Sequence, residues 1–211
     1  MRTRIKFCGF TREQDVQTAV SLGVDALGFV FYPPSPRYVA PYKAAELIHH
    51  VPAFISTVGL FVNSTVPQIT RILSQVPISA IQLHGDESWN FAINASKIMQ
   101  RPVIKAVRVT PQTDWDEVTH HVDQLAGVLL DADAAGYGGA GHVFDWSVIP
   151  SELRHKIILS GGLRLDNISD AMRTVQPYAL DVSSGIEAGV KGEKDADKMA
   201  AFVQTVLTAM C

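Results

Sequence analysis

The sequence predicts a single-domain (β/α)₈ barrel of the α/β class, and three observations carry that reading. Eight short β-rich apolar runs recur along 211 residues, a spacing of roughly 26 residues that suits one βα unit. The stretches between them place apolar residues three and four apart, the period of a helix packed on one face. No linker, low-complexity tract or shift in composition divides the chain, so residues 1–211 are read as one domain. An open doubly wound sheet is the rival, but it would carry a glycine fingerprint in its first βα turn. The stretch CGFTRE is not one.

The first unit is RIKFCGFT, residues 4–11. Ile5 and Phe7 alternate with Lys6 and Cys8, as on a strand whose side chains point to opposite faces. Gly9 stops the strand, and Thr11 is expected to cap the helix that follows. Cys8 therefore ends a strand where the chain turns, as a small buried hydrophobe or as a working group. The later strands are ALGFVF, STVGLFV, AIQLHG, PVIKAV, GVLLDA, KIILSG and ALDVSSG. Helices are expected over REQDVQTAVSL, PYKAAELIHHV, VPQITRILSQV, SWNFAINASKIM, DWDEVTHHV, LDNISDAMRTV and DADKMAAFVQTVLTAM. Pro41 and Pro67 fall near helix starts, where a missing N–H costs least. After the sixth strand only a short helix near DWSVI is expected.

Composition narrows the function. Hydrophobic residues make up 47%, enough for a sizeable core, and the net charge of −3 offers no attraction to nucleic acid or an anionic membrane. No apolar run approaches a membrane span, and the start MRTRIKF lacks the apolar core of a signal peptide. Cys8 and Cys211 are read as two free thiols in a reducing cytoplasm. The seven histidines are scattered without metal-ligand spacing, so no metal site is expected. Oligomeric state is left between monomer and homodimer.

In a barrel of this kind, function belongs at the C-terminal ends of the strands. Those ends supply Cys8, Arg37, Asn63, Gln82 with His84, Lys105 and Arg108, Asp131, and two small-residue turns. Gly161 and Gly162 after strand seven, with Ser183, Ser184 and Gly185 after strand eight, leave backbone N–H groups uncovered. That suits a phosphate beside a short extra helix; two tight turns using glycine's freedom are the bland alternative. Asp131 ends the apolar run GVLLD, so desolvation favours its protonated form, as a general acid requires. Otherwise it is a cap or a paired carboxylate, and Asp133 is the neighbour to be distinguished from it. Arg37 follows three prolines in a stiff loop and offers a two-pronged grip on a carboxylate or phosphate. Otherwise it is a surface arginine with a buried stem. His84 either joins the site or satisfies a backbone carbonyl. The glycine-rich loop over 131–146 is read as a lid or binding loop.

Together these residues resemble the phosphoribosylanthranilate isomerase family of tryptophan biosynthesis. The resemblance rests on Lys6-Phe7-Cys8-Gly9-Phe10-Thr11, Ser35-Pro36-Arg37-Tyr38-Val39, the Ile-Gln-Leu-His-Gly at 81–85 and the Leu-Leu-Asp at 129–131. It extends through the glycine loop at 138–146, Ser-Gly-Gly-Leu at 160–163 and Asp-Val-Ser-Ser-Gly-Ile-Glu at 181–187. Departures from the family pattern are His142-Val143, where Lys-Thr is usual, and Phe7 and Phe10 in place of smaller aliphatics.

The resemblance implies an Amadori-type isomerisation of a phosphoribosylated anthranilate, with Asp131 as acid, Cys8 as base and no cofactor. It implies that Arg37 holds the anthranilate carboxylate and that Gly161, Gly162, Ser183, Ser184 and Gly185 hold the phosphate. Gln82 and His84 join them as substrate-binding residues. The base needs a thiolate, so a helix N-terminus or nearby cation is expected to lower Cys8 below its ordinary value. Lys6 is expected to alternate away from Cys8's neighbours and not to be that cation directly, while sharing the same end layer is left open. The related indole-glycerol-phosphate synthases need a lysine acid and glutamates that these strand ends lack. A phosphosugar-binding barrel without chemistry would have no use for the paired acid and base.

Overall fold

The computed structural model describes residues 2–132 and 143–209. Most of the glycine-rich loop, with Asp133 and His142, lies outside the described residues, as does Cys211. The chain alternates β1 (Arg4–Cys8), α1 (Glu13–Ser21), β2 (Ala26–Val30), α2 (Pro41–Ile48), β3 (Ser56–Phe61), α3 (Val66–Leu73), β4 (Ala80–Leu83) and α4 (Trp89–Met99). It continues with β5 (Val103–Val109), α5 (Trp115–His121), β6 (Gly127–Ala132), β7 (Ile157–Leu159), α6 (Ile168–Val175), β8 (Ala179–Val182) and α7 (Ala196–Thr208). All neighbouring strands are parallel, and β8 pairs with β1 to close the barrel. Between β6 and β7 the described residues hold only short 3₁₀ turns, one of them at Trp146–Val148 within the expected DWSVI.

Local sequence explains the helix boundaries. Ser88, Asp114 and Asp195 cap α4, α5 and α7, each side chain accepting a first-turn N–H. Pro41 stands in the first turn of α2 as expected. The first helix differs from its expectation. It begins at Glu13 with Arg12 as the flanking residue, while the Thr11 hydroxyl donates to the Gly192 carbonyl at 2.6 Å. Thr11 is thus drawn into a tie between the β1 loop and the segment after β8, and cannot cap.

A parallel sheet wrapped in helices is buried on both faces, and strand alternation sorts the side chains between them. Ile5, Phe7, Leu27, Ile81, Leu83, Leu130 and Leu180 face outward into the layer under the helices. There Phe7 meets Phe202 of α7 edge-on at 5.7 Å. Val58, Ile104, Ala106, Leu129, Ile158 and Ala179 fill the barrel interior. Above this apolar plug the inward positions turn polar, and Lys6, Gln82, Asp131 and Asp181 are all buried there. No described helix is long and apolar enough to cross a membrane.

Candidate active site

One cavity opens at the C-terminal ends of the strands. Cys8, Arg37, Gln82, His84, Asp131, Gly161, Gly162, Ser183 and Ser184 all line it. Three other strand-end residues point elsewhere. Asn63 is tied to Glu87 through its backbone N–H at 2.7 Å. Lys105 turns outward with Arg108 beside Asp86 and Glu87, in a separate depression. Its ammonium donates to the Gly85 and Ala106 carbonyls at 3.2 and 2.6 Å.

The thiol of Cys8 is buried and unpaired in any disulfide. Because side chains two apart on a strand share a face, Lys6 lies on the same inner face as Cys8. Lys6 also makes a buried 2.8 Å ion pair with Asp181 on the adjoining β8. The expectation that Lys6 turns away is therefore corrected: its charge and hydrogen bond act on the thiol directly. Lys194 is a second ammonium whose charge reaches Cys8. The expected lowering of the thiol is nevertheless not met. Burial pushes Cys8 above its ordinary value; Lys6 and Lys194 pull it down, and Asp181 pushes it up.

Arg37 is buried, and two of its nitrogens are committed. Nε and Nη2 donate to the two oxygens of Glu187 at 2.7 and 2.8 Å. Glu187 also accepts from the Gly192 N–H at 2.9 Å and from Lys194 Nζ at 3.3 Å. Burial alone pushes the Glu187 carboxyl up, but Arg37, Lys194 and the Gly192 N–H together hold it below the ordinary carboxylate range. Lys194 Nζ donates to the Ser183 carbonyl at 3.1 Å, and the Ser183 hydroxyl donates to the Cys8 carbonyl at 2.9 Å. A single polar chain thus joins the arginine on one wall to the cysteine on another. Arg37 is no solvated surface arginine.

Asp131 lies across the barrel mouth at the end of β6. Its Oδ2 meets His84 Nε2 at 3.0 Å, and its Oδ1 accepts from the Ala132 N–H at 2.9 Å. Gln82 Nε2 meets His84 Nδ1 at 2.9 Å. Gln82 and His84, read from sequence as substrate contacts, therefore direct these polar atoms at each other and at Asp131. Gly161 (φ +81°) belongs to the same arrangement, since a Cβ there would lie 2.8 Å from Asp131 Oδ1.

The two small-residue turns meet over the last strands. Among the described residues, the N–H groups of Gly161, Gly162 and Ser184 donate to no protein acceptor. A 3₁₀ turn at Ser184–Ile186 supplies the expected short extra helix. Gly185 is not among the residues that line the cavity, and a side chain there would collide with the Leu163 carbonyl, so glycine lets the two turns approach.

A family model described as N-(5′-phosphoribosyl)anthranilate (PRA) isomerase matches residues 5–205. The chain belongs to this isomerase family. A relative from Dechloromonas aromatica (strain RCB), named N-(5′-phosphoribosyl)anthranilate isomerase, is 51% identical over 210 residues, covering 99% of this chain and 98% of the relative. The phosphoribosyl anthranilate isomerase of Thermotoga maritima superposes with a TM-score of 0.88 at 38% identity, covering 98% of this chain and 99% of its own. Another phosphoribosyl anthranilate isomerase structure, in complex with reduced 1-(o-carboxyphenylamino)-1-deoxyribulose 5-phosphate, gives 0.85 at 36% identity, covering 98% and 99%.

Sequence reasoning passed over Asp181, Glu187 and Lys194, and misdirected Lys6. Asp181 and Glu187 stand inside an isomerase-family motif quoted above, yet no role was attached to them. The signal for Asp181 was a carboxylate within the strand ALDV, with Lys6 a cation on the inner face of β1 to meet it. Lys194 carried no signal, because KGEKD reads as a solvated charge run.

Proposed function

We propose that this chain isomerises N-(5′-phosphoribosyl)anthranilate to 1-(2-carboxyphenylamino)-1-deoxyribulose 5-phosphate through the cavity just described. The observation that carries the reading is one cavity lined by a thiol, a carboxylic side chain, a buried arginine and two turns with undonated N–H groups. Each matches one demand of the substrate. The Gly161, Gly162, Ser183 and Ser184 turns take the phosphate, and Arg37, preset by Glu187, takes the anthranilate carboxylate.

Asp131 then gives a proton to the ribose ring oxygen as the C1–O bond breaks, and the nitrogen lone pair forms the C1=N iminium. Cys8 removes the C2 proton, and the C–H electron pair flows toward the iminium to give an enolamine. Tautomerisation of the enolamine yields the ketone. The iminium acidifies the C–H bond, so the chemistry asks for no metal or organic cofactor. It also helps the base. Burial disfavours the Cys8 thiolate, whereas a cation formed beside it favours the thiolate.

This reading includes a cytoplasmic location, where Cys8 stays reduced, and either a monomer or a homodimer. The test is the fluorescence of phosphoribosylanthranilate generated in situ, which should decay on addition of the purified chain. No acceleration over the blank would overturn the reading.

A further inference from the structure

We propose that Gln82 and His84 are positioning residues that reserve the proton of Asp131 for the substrate, with Gln82 holding the imidazole in its Nε2–H tautomer. The inference rests on Asp131 being the general acid. Its geometry is a relay from the end of β4 to the end of β6, from the fully buried Gln82 amide to His84 Nδ1 at 2.9 Å and from His84 Nε2 to Asp131 Oδ2 at 3.0 Å.

The amide decides the direction of the relay. A neutral imidazole has one donor and one acceptor nitrogen, so the end that Gln82 satisfies fixes what the other end does. With Nε2 of Gln82 donating to Nδ1, the ring proton must lie on Nε2 and point at Asp131. Gln82 Oε1 is then a buried oxygen with no hydrogen-bond partner. Turning the amide over would leave both of its N–H groups unpaired, where the present orientation leaves one N–H and the oxygen, and buried unpaired N–H groups are rarer than unpaired carbonyl oxygens.

The chemical consequence follows. In the opposite tautomer the Nε2 lone pair would face Asp131 and accept its proton, directing the acid away from the ribose oxygen. In the Nε2–H tautomer the imidazole can only donate to Oδ2. It therefore cannot drain the acid, and it stabilises the carboxylate left after the proton has gone to the substrate. Oδ1 is held by the Ala132 N–H at 2.9 Å, so the carboxyl plane is fixed at both oxygens.

Nitrogen-15 NMR of the intact protein labelled in histidine tests this at neutral pH. The expected His84 signature is a pyrrole-type Nε2 and a pyridine-type Nδ1. In Gln82→Leu, which removes the amide at similar volume, the two tautomers should mix. The kcat should fall by roughly 10- to 100-fold, as for a misplaced catalytic group, with KM little changed. A wild-type His84 protonated at Nδ1, or at both nitrogens, would overturn the proposal even if the variant failed to fold. An unchanged kcat in Gln82→Leu would overturn it as well. Failure of the acid assignment is read separately, from an active Asp131→Asn enzyme.

Discussion

Arg37 and Glu187, 150 positions apart in the chain, face each other in a two-pronged contact of 2.7 and 2.8 Å on the cavity wall. The contact fixes a guanidinium that a free loop would leave to wander, and it is closed by Lys194 on the side toward Cys8.

Removing Arg37 should therefore have two separable effects. Arg37→Ala should weaken binding of a carboxylated substrate analogue by about 1.5–3 kcal/mol, the range for hydrogen bonds to a charged group. It should also lower stability, by less than the ~3–5 kcal/mol of a fully unpaired buried charge, because Lys194 and the Gly192 N–H still hold Glu187. The double variant Arg37→Ala/Glu187→Gln, which also takes the carboxylate from buried Lys194, should recover none of the affinity. Equal losses for analogues with and without the carboxylate, by calorimetric titration, would mean that Arg37 only shapes its loop.

The chemical roles are tested at Cys8 and Asp131. Cys8→Ser should fold normally and lose at least ~10²-fold in kcat/KM, because a hydroxyl cannot hold negative charge near neutral pH. Asp131→Asn should lose a comparable factor. Since burial raises the free thiol, wild-type kcat/KM should climb with pH through and beyond the ordinary thiol value of about 8.5. Loss of that limb in Cys8→Ser is the expected outcome. Near wild-type turnover in the serine variant would sink the mechanism.

A crystal grown in phosphate should hold the anion against Gly162, Ser183 and Ser184, whose turns leave N–H groups to be filled. Ser184→Asp should place a negative charge there and raise KM for the phosphorylated substrate with little effect on folding. An anion bound elsewhere, with these amides paired internally, would contradict the assignment.

The Glu187 cluster predicts an acid dependence of stability. Its carboxyl is held below the ordinary value in the folded chain, so as pH falls the unfolded chain binds that proton first. The stabilisation is complete above the unfolded value of about 4.3 and is lost as pH drops from there through the lower folded value. The gap in Tm between the wild type and Glu187→Gln should therefore be widest above roughly pH 5 and close in more acidic buffer. A gap that does not change with pH would show that Glu187 acts through packing alone.

The barrel, the placement of Cys8 and Asp131 at strand ends and the paired small-residue turns are legible in the sequence. Those features are local: a period of two or of 3.6, a glycine after a strand, a polar residue closing an apolar run. Which side chains stand opposite one another is set by the folding of the whole chain. Barrel closure sets Lys6 on Asp181, 175 positions away, and brings His84 of one strand end to Asp131 of another, 47 positions on. The reading of Lys6 failed within reach of the sequence, since residues two apart on a strand share a face. The pairing of Arg37 with Glu187 and Lys194 was out of reach. It depends on how two loops fold over the barrel mouth, where strand period gives no register. Burial, too, is set by closure, which is why the thiol expected to be lowered by a cation is raised despite having two beside it.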